Sequence, residues 1–289
     1  LWGKAANEGL TAPATPLHEL KTMKREDVEP DPTLATTAGV PKFDKGYDKA
    51  ITALKPELHL KLESLPQGFT TKKDIKFSQE NAGAFNGGWL EGALKENINS
   101  YTASFWFRND IENQARAVTG YLFSRGPKGA KGAPGDQIGI GGNYKGNPNY
   151  GKLFVFNGNE GGVSVPGRTI IPPRTWNHLV FVREDKRARL YLNGDPEPEF
   201  DGEVPVTTNG ARDIFIGGRN DFFSLTLEGN IVQFALFPRA LNAEEALQLH
   251  SASGRPKGSG KVLPPQKAPK AAPTNLAMGV REGKKLADA

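Results

Sequence analysis

Two adjoining segments constrain this chain most: Trp176-Asn-His-Leu-Val-Phe-Val-Arg183 and Arg187-Ala-Arg-Leu-Tyr-Leu-Asn-Gly194. Leu179 and Phe181, then Leu190 and Leu192 across the turn, alternate with residues suited to an opposite face. A period of two marks strand and not helix. Glu184-Asp185-Lys186 supplies a polar turn, and Asn193-Gly194 opens the next, because both residues tolerate positive φ. Tyr101-Thr-Ala-Ser-Phe-Trp-Phe107 repeats the pattern, with Ala103, Phe105 and Phe107 on one face and Ser104, Trp106 and Arg108 on the other. Leu58, Leu60 and Leu62 alternate with polar residues in a first strand over Glu57–Glu63. Further strands are expected over Ala84–Leu90, Tyr121–Ser124, Gln137–Ile140, Lys152–Phe156, Ile214–Gly218 and Leu227–Phe237. One helix is expected, Ala240–His250, with Asn242 as N-cap and Glu244 and Glu245 complementing the dipole of the first turn. Ala246, Leu247, Leu249 and His250 form its packing face.

Composition agrees with an all-β chain. Thirty-four Gly and twenty-two Pro in 289 residues suit strands and turns, since both interrupt long helices. No run of eighteen apolar residues exists, so no transmembrane helix is expected. The absence of cysteine excludes disulfides, thiolate metal sites and cysteine nucleophiles, and leaves the compartment open. The net charge of +5 is unevenly spread. From Ser251 onward eight Lys and Arg face only Glu282 and Asp288, so the rest of the chain is close to neutral. That tail of Pro, Gly, Ala and Lys is too poor in large apolar groups to fold alone. It holds no aromatic residue to interleave with its cations, so no nucleic-acid role is expected.

Three regions follow. Residues 1–55 read as an N-terminal arm, with a short helix at Glu19–Asp27 and an extended run from Val28 to Lys45 punctuated by Pro30, Pro32 and Pro41. Residues 56–253 read as a sandwich, and 254–289 as the basic tail.

The ordered set Tyr101–Phe107, Trp176–Val182, Leu190-Tyr-Leu-Asn-Gly194, Phe215-Ile-Gly-Gly218, Gly229-Asn-Ile-Val-Gln233 and Arg239-Ala-Leu-Asn-Ala-Glu-Glu245 resembles the laminin-G-like members of the concanavalin-A-like lectin/glucanase superfamily. The corresponding family patterns are S-x-S-x-W-x, W-x-H-x-V-x-V, L-Y-x-N-G, x-I-G-G, G-x-I-D-E-V and R-A-L-S-x-E-E-I. The resemblance covers roughly residues 56–253. It implies a concanavalin-A-like jelly-roll β-sandwich with one short C-terminal helix, placed outside the cytoplasm in a periplasm or at a cell surface. A fold of this kind does not by itself imply a function. The final piece, Asn275–Asp288, resembles segments of large planctomycete-type proteins that carry a cytochrome-like region and an inserted laminin-G-like module.

The chemistry-bearing residues argue against an enzyme. Retaining glycosidases of this superfamily place acid and nucleophile on an E-x-D-x-x-E-like strand, and no such strand occurs here. The four His residues include no H-E-x-x-H pair, so zinc catalysis is not expected. Trp176 and His178 share a strand face, and the family pattern makes that pair structural.

Binding is the other option. The resemblance implies a rim Ca²⁺ held by Asp and Asn oxygens, for which Asp136, Asn193, Asp195 and Asp221 (with Asn220) are the candidates. The family's G-x-I-D-E stands here as Gly229-Asn-Ile-Val-Gln233, so its acidic pair is missing. The loop Arg125–Gly135, with glycine at every third position, reads as a mobile connection whose Lys128 and Lys131 can touch an anionic glycan or an acidic partner surface. Tyr144, Tyr150 and Phe222 lie in polar turns, where rings stack on sugars while Asn220 and Asp221 bond hydroxyls. Two readings remain. One is a non-catalytic module recognising a carbohydrate or glycoconjugate within a larger protein. The other is a scaffold subunit whose arm and tail wrap neighbouring subunits.

Overall fold

The computed structural model describes residues 40–255 apart from 81, 144–146 and 209. The expected helix at Glu19–Asp27, most of the extended run before Lys45, Tyr144, and the tail with Asn275–Asp288 lie outside the described residues.

The chain runs α1 (Tyr47–Ala53), β1 (Leu58–Leu60), β2 (Thr70–Ser78), β3 (Ala82–Ala93), β4 (Tyr101–Asn109), β5 (Val118–Arg125), β6 (Asp136–Gly141) and β7 (Lys152–Phe156). It continues with β8 (Ser164–Ile170), β9 (Trp176–Glu184), β10 (Arg187–Leu192), β11 (Phe200–Glu203), β12 (Asp213–Ile216), β13 (Glu228–Phe237) and α2 (Ala243–Ser251). The hydrogen-bonded order is β11-β10-β9-β4-β13-β3-β12-β5-β6-β7-β8, with β1 on β13 and β2 on β3. All pairings between these strands are antiparallel.

Alternation explains how this path becomes two layers. In β4, Tyr101, Ala103, Phe105 and Phe107 point into the main core, while Trp106 points the other way. Leu179 and Phe181 of β9 and Leu190 and Leu192 of β10 join them from the front layer. Ile138, Ile140, Leu153, Val155, Ile214 and Ile216 meet them from the back layer. β3 belongs to both layers. Gly83–Asn86 pair with β13, and Leu90–Ala93 pair with β12. The result is the jelly-roll-like β-sandwich that the family resemblance implied.

The two outer faces differ. Behind the front layer lies a second apolar layer, in which Tyr47 and Ile51 of α1 and Ala246 and Leu249 of α2 cover Trp106, Val180, Val182 and Val232. Trp106 Nε1 donates to Tyr47 Oη at 3.0 Å. Helix α2 starts as expected: Asn242 accepts from the Glu245 amide, and Glu245 accepts from the Asn242 amide, a capping box. Helix α1 falls in the segment read as an arm, whose described part is folded onto the sheet with Tyr47 and Ile51 buried.

Three further differences have physical causes. The first strand is only Leu58–Leu60, because Leu62 turns to φ 63 and buries its side chain. Strands β2, β8 and β11 were not expected, since each is peripheral and shows few buried residues to reveal its period. The loop Arg125–Gly135 is tied down: Gly129 donates to Asn220 O at 2.6 Å, the Asn159 amide donates to Gly132 O at 2.7 Å, and Ala133 is fully buried. Among the described residues no helix is long and apolar enough to cross a membrane.

Candidate functional site

The outer face of the back layer carries the candidate site, and strand periodicity builds it. Leu90 is buried in the main core, so Trp89 and Glu91 on either side of it must point outward. Ile214 and Ile216 point inward, so Phe215 points outward, directly across from Glu91. Over these residues folds the β12–β13 connection, from Gly217 to Leu227.

Arg219 pins that connection. Its guanidinium lies 4.9 Å from the ring centroids of Tyr121, Phe156 and Phe223. It also grips Asp221 through two hydrogen bonds of 2.9 and 2.6 Å. A planar, bidentate Arg–carboxylate pair fixes direction as well as charge. The next residue, Phe222, is held at φ 64 and stays 44% exposed. Its ring stands 6.1 Å from Trp89 at an interplanar angle of 30° and 6.4 Å from Phe215.

Polar groups flank the rings. Glu91 is only 8% exposed; its Oε1 accepts from Trp89 Nε1 at 3.0 Å and its Oε2 from Lys128 Nζ at 2.6 Å. This carboxylate holds the Lys128 ammonium above its ordinary range. The Lys128 amide donates to Asp213 Oδ2 at 3.2 Å. From strand β2, Lys73 Nζ stands 5.9 Å from the Trp89 ring centroid. A half-exposed aromatic pair beside a carboxylate and ammoniums can stack an apolar ring face and bond its hydroxyls.

The structure sorts the residues singled out from sequence. Phe222 and Lys128 stand at this face, and Lys131 is exposed in the same loop as Lys128. Asp221 is committed to Arg219. Asn220 is fully buried: its Nδ2 donates to Pro127 O and Pro134 O, and its Oδ1 accepts from Gln137 Nε2 at 2.9 Å. It staples two loops together and presents nothing to a ligand. Tyr150, 40% exposed, belongs to another part of the surface and donates to Gln114 Oε1 at 3.3 Å.

The calcium candidates are not gathered. Asp136 is fully buried, ion-paired with Arg183, and accepts from Tyr101 Oη and Asn157 Nδ2, each at 2.8 Å. Burial pushes its carboxyl up while the Arg183 guanidinium opposes that push. Asn193 accepts from the His178 amide at 2.7 Å and donates to Asn177 at 2.8 Å. Asp195 accepts from the Glu197 amide at 2.9 Å. Each of these residues has a side-chain oxygen committed to local structure. Among the described residues no group of three or more His, Asp and Glu lies close enough to hold an ion.

His178 is structural, as the family pattern implied. It is 1% exposed, stacks 4.9 Å from Trp106, and meets Ser104 Oγ at 3.0 Å. Burial holds its pKa well below the usual histidine range.

Trp89, Glu91 and Lys73 were missed from sequence. The signal for the first two was present in Leu90, whose inward direction sets its neighbours outward. No sequence pattern says that Lys73 reaches Trp89, because a register slip brings it there.

A protein family described as the concanavalin A-like lectin/glucanases superfamily matches residues 89–246, more than half of the chain. Among solved structures, the chain is similar to the botulinum neurotoxin serotype D binding domain, at 12% identity and a TM-score of 0.50, over 70% of this chain and 52% of that one. It is also similar to domain 4 of AbnA, an extracellular arabinanase from Geobacillus stearothermophilus, in complex with arabinotriose (18% identity, TM-score 0.44, 66% of this chain and 85% of that one). A third likeness is to the CBM40 of the Ruminococcus gnavus IT-sialidase bound to α2,3 sialyllactose (17%, TM-score 0.42, 53% and 83%). The chain spans about half the length of the neurotoxin domains it matches. At these identities the likeness concerns the fold. No curated protein matches the chain.

Proposed function

Because the chain belongs to the concanavalin A-like lectin/glucanase superfamily, we propose that it is a non-catalytic binding module whose Trp89–Phe222 face takes a carbohydrate. The observation that carries this reading is Phe222 itself. A large ring held in the left-handed region costs about 1–2 kcal/mol, and leaving it half in water forgoes part of the ~1.5–3 kcal/mol that full burial would contribute. A residue serving only the fold would be turned inward or replaced by glycine. Instead Arg219 and Asp221 hold it outward beside Trp89, next to a carboxylate and an ammonium. No E-x-D-x-x-E run occurs in the sequence, and in the nearest one, Glu199-Phe-Asp201-Gly-Glu203, Glu199 is bonded to Arg168 and Thr169 and Asp201 to Arg187. A setting outside the cytoplasm accords with the family.

The test is a polysaccharide array read with the wild-type chain and with Trp89→Ala and Phe222→Ala. The reading expects a binding glycan for the wild type, lost in both variants, with melting temperatures unchanged within a few degrees. Binding that survives both substitutions would place the ligand elsewhere. A large drop in melting temperature would assign the rings to the core.

A scaffold role is the second reading, and one observation favours it. The Asp44 amide donates to Ser253 O at 3.2 Å, so the two flanking segments join the folded part at adjoining points. Those points lie on the helix-covered side, away from the Trp89 face. This suits a module that displays its free face from a larger protein, and it suits an arm and tail that engage neighbouring subunits. Flanks that resist protease only when a partner is present would support the scaffold.

A further inference from the structure

General glycan binding leaves Lys73 unexplained. It lies in the edge strand β2 at φ 57, a left-handed conformation that side-chain-bearing residues avoid. There the pairing with β3 slips: Lys72 is opposite Trp89, but Asp74 is opposite both Asn86 and Gly87. A bulge of this kind re-aims a side chain. The re-aimed ammonium stands 5.9 Å from the Trp89 ring centroid. The partner strand is shaped for it, since a Cβ on Gly88 would meet Lys72 O at 2.6 Å and Asp74 O at 2.8 Å. The two features interlock: glycine at 88 admits the bulge, and the bulge delivers Lys73.

An exposed ammonium over one ring gains little by itself. Lys128 is paired with Glu91, yet among the described residues no carboxylate pairs with Lys73, not even the adjacent Asp74. Lys72, exposed and opposite Trp89 in the register, adds positive charge beside it. A cation set beside a stacking ring, with no counter-ion of its own, matches a ligand that supplies both the ring face and the anion. We infer that the face binds a polysaccharide whose sugar units carry an acidic group, with the sugar ring on Trp89 and Phe222 and the carboxylate or sulfate at Lys73. This rests on the glycan-binding reading and narrows it to one ligand class.

The test uses the full chain and two matched pairs of polymers: polygalacturonate against its fully methyl-esterified form, and dextran sulfate against dextran. The first pair reports carboxylate and the second sulfate. The wild type is expected to bind the acidic member of at least one pair about tenfold tighter than its neutral partner, the size of one charge-assisted contact. Added salt should shrink the preference. Lys73→Gln should erase the preference while leaving the melting temperature unchanged, and Trp89→Ala should remove both kinds of binding. Equal affinity for acidic and neutral members, with Trp89 still required, would overturn this inference and leave the broader reading standing. A preference that survives both substitutions belongs to other cations, such as those of the tail, and overturns it too. No binding to any polysaccharide would remove both readings together.

Discussion

A single buried contact shows how residue identity alone can mislead. Asp136 follows a glycine-rich loop and has the composition of a cation ligand, yet it is sealed in the sandwich with Arg183. Removing one partner of a buried pair strands the other charge, so Asp136→Ala should cost about 3–5 kcal/mol. Asp201→Ala, which removes the exposed partner of Arg187, should cost less than about 1 kcal/mol. Urea unfolding of the two variants checks the contrast, and similar losses would contradict it. His178 carries a pH signature. Its folded pKa is depressed by burial, so below an unfolded value near 6.5 the unfolded chain binds a proton that the folded chain refuses. Its contribution is therefore present in full above about pH 6.5 and is lost as pH falls from there. Melting temperature should decline between about pH 6.5 and 5, and the slope should be shallower in His178→Gln. Turn residues were the least legible from sequence. Asn220, Asp221 and Asn193 are polar whether they face water, a ligand or a backbone carbonyl, and composition cannot choose among the three.

Elements were far more legible, in proportion to how much they bury. β4, β9 and β10 stand where their period of two placed them, because alternation between a core face and an outer face leaves its mark on every residue. Helix α2 was legible from its cap, and Asn242→Ala should lower stability by about 1 kcal/mol through loss of the capping box. Chemical denaturation measures that loss, and an unchanged midpoint would mean the cap is idle. Strand β2 hid because it is exposed along nearly its whole length, so its sequence reads as a polar loop. Its bulge was equally invisible, since a register slip depends on the partner strand. Lys73 and Trp89 could therefore not be joined from sequence. Helix α1 hid for a different reason: only Tyr47 and Ile51 anchor it, too few positions to show a helical period.

At the scale of the whole molecule, the functional reading rests on an asymmetry between two outer faces. The front layer is closed off by α1 and α2, and the flanking segments join there. Among the described residues the back layer is covered by two pinned loops, which leave Trp89 and Phe222 in contact with water. The jelly-roll architecture was legible in the order of its motifs, but which face would stay open was not. Both outer faces are rich in aromatic residues, and Trp106 and Trp89 differ only in what folds over them. The most direct measurement is a titration, with the tightest glycan from the array, of the indole N–H signals in a two-dimensional NMR spectrum. The account predicts that the Trp89 indole signal, bonded to Glu91, moves on binding while those of the buried Trp106 and Trp176 stay in place. A saturating ligand that leaves Trp89 unmoved, or that moves the buried pair instead, would contradict it.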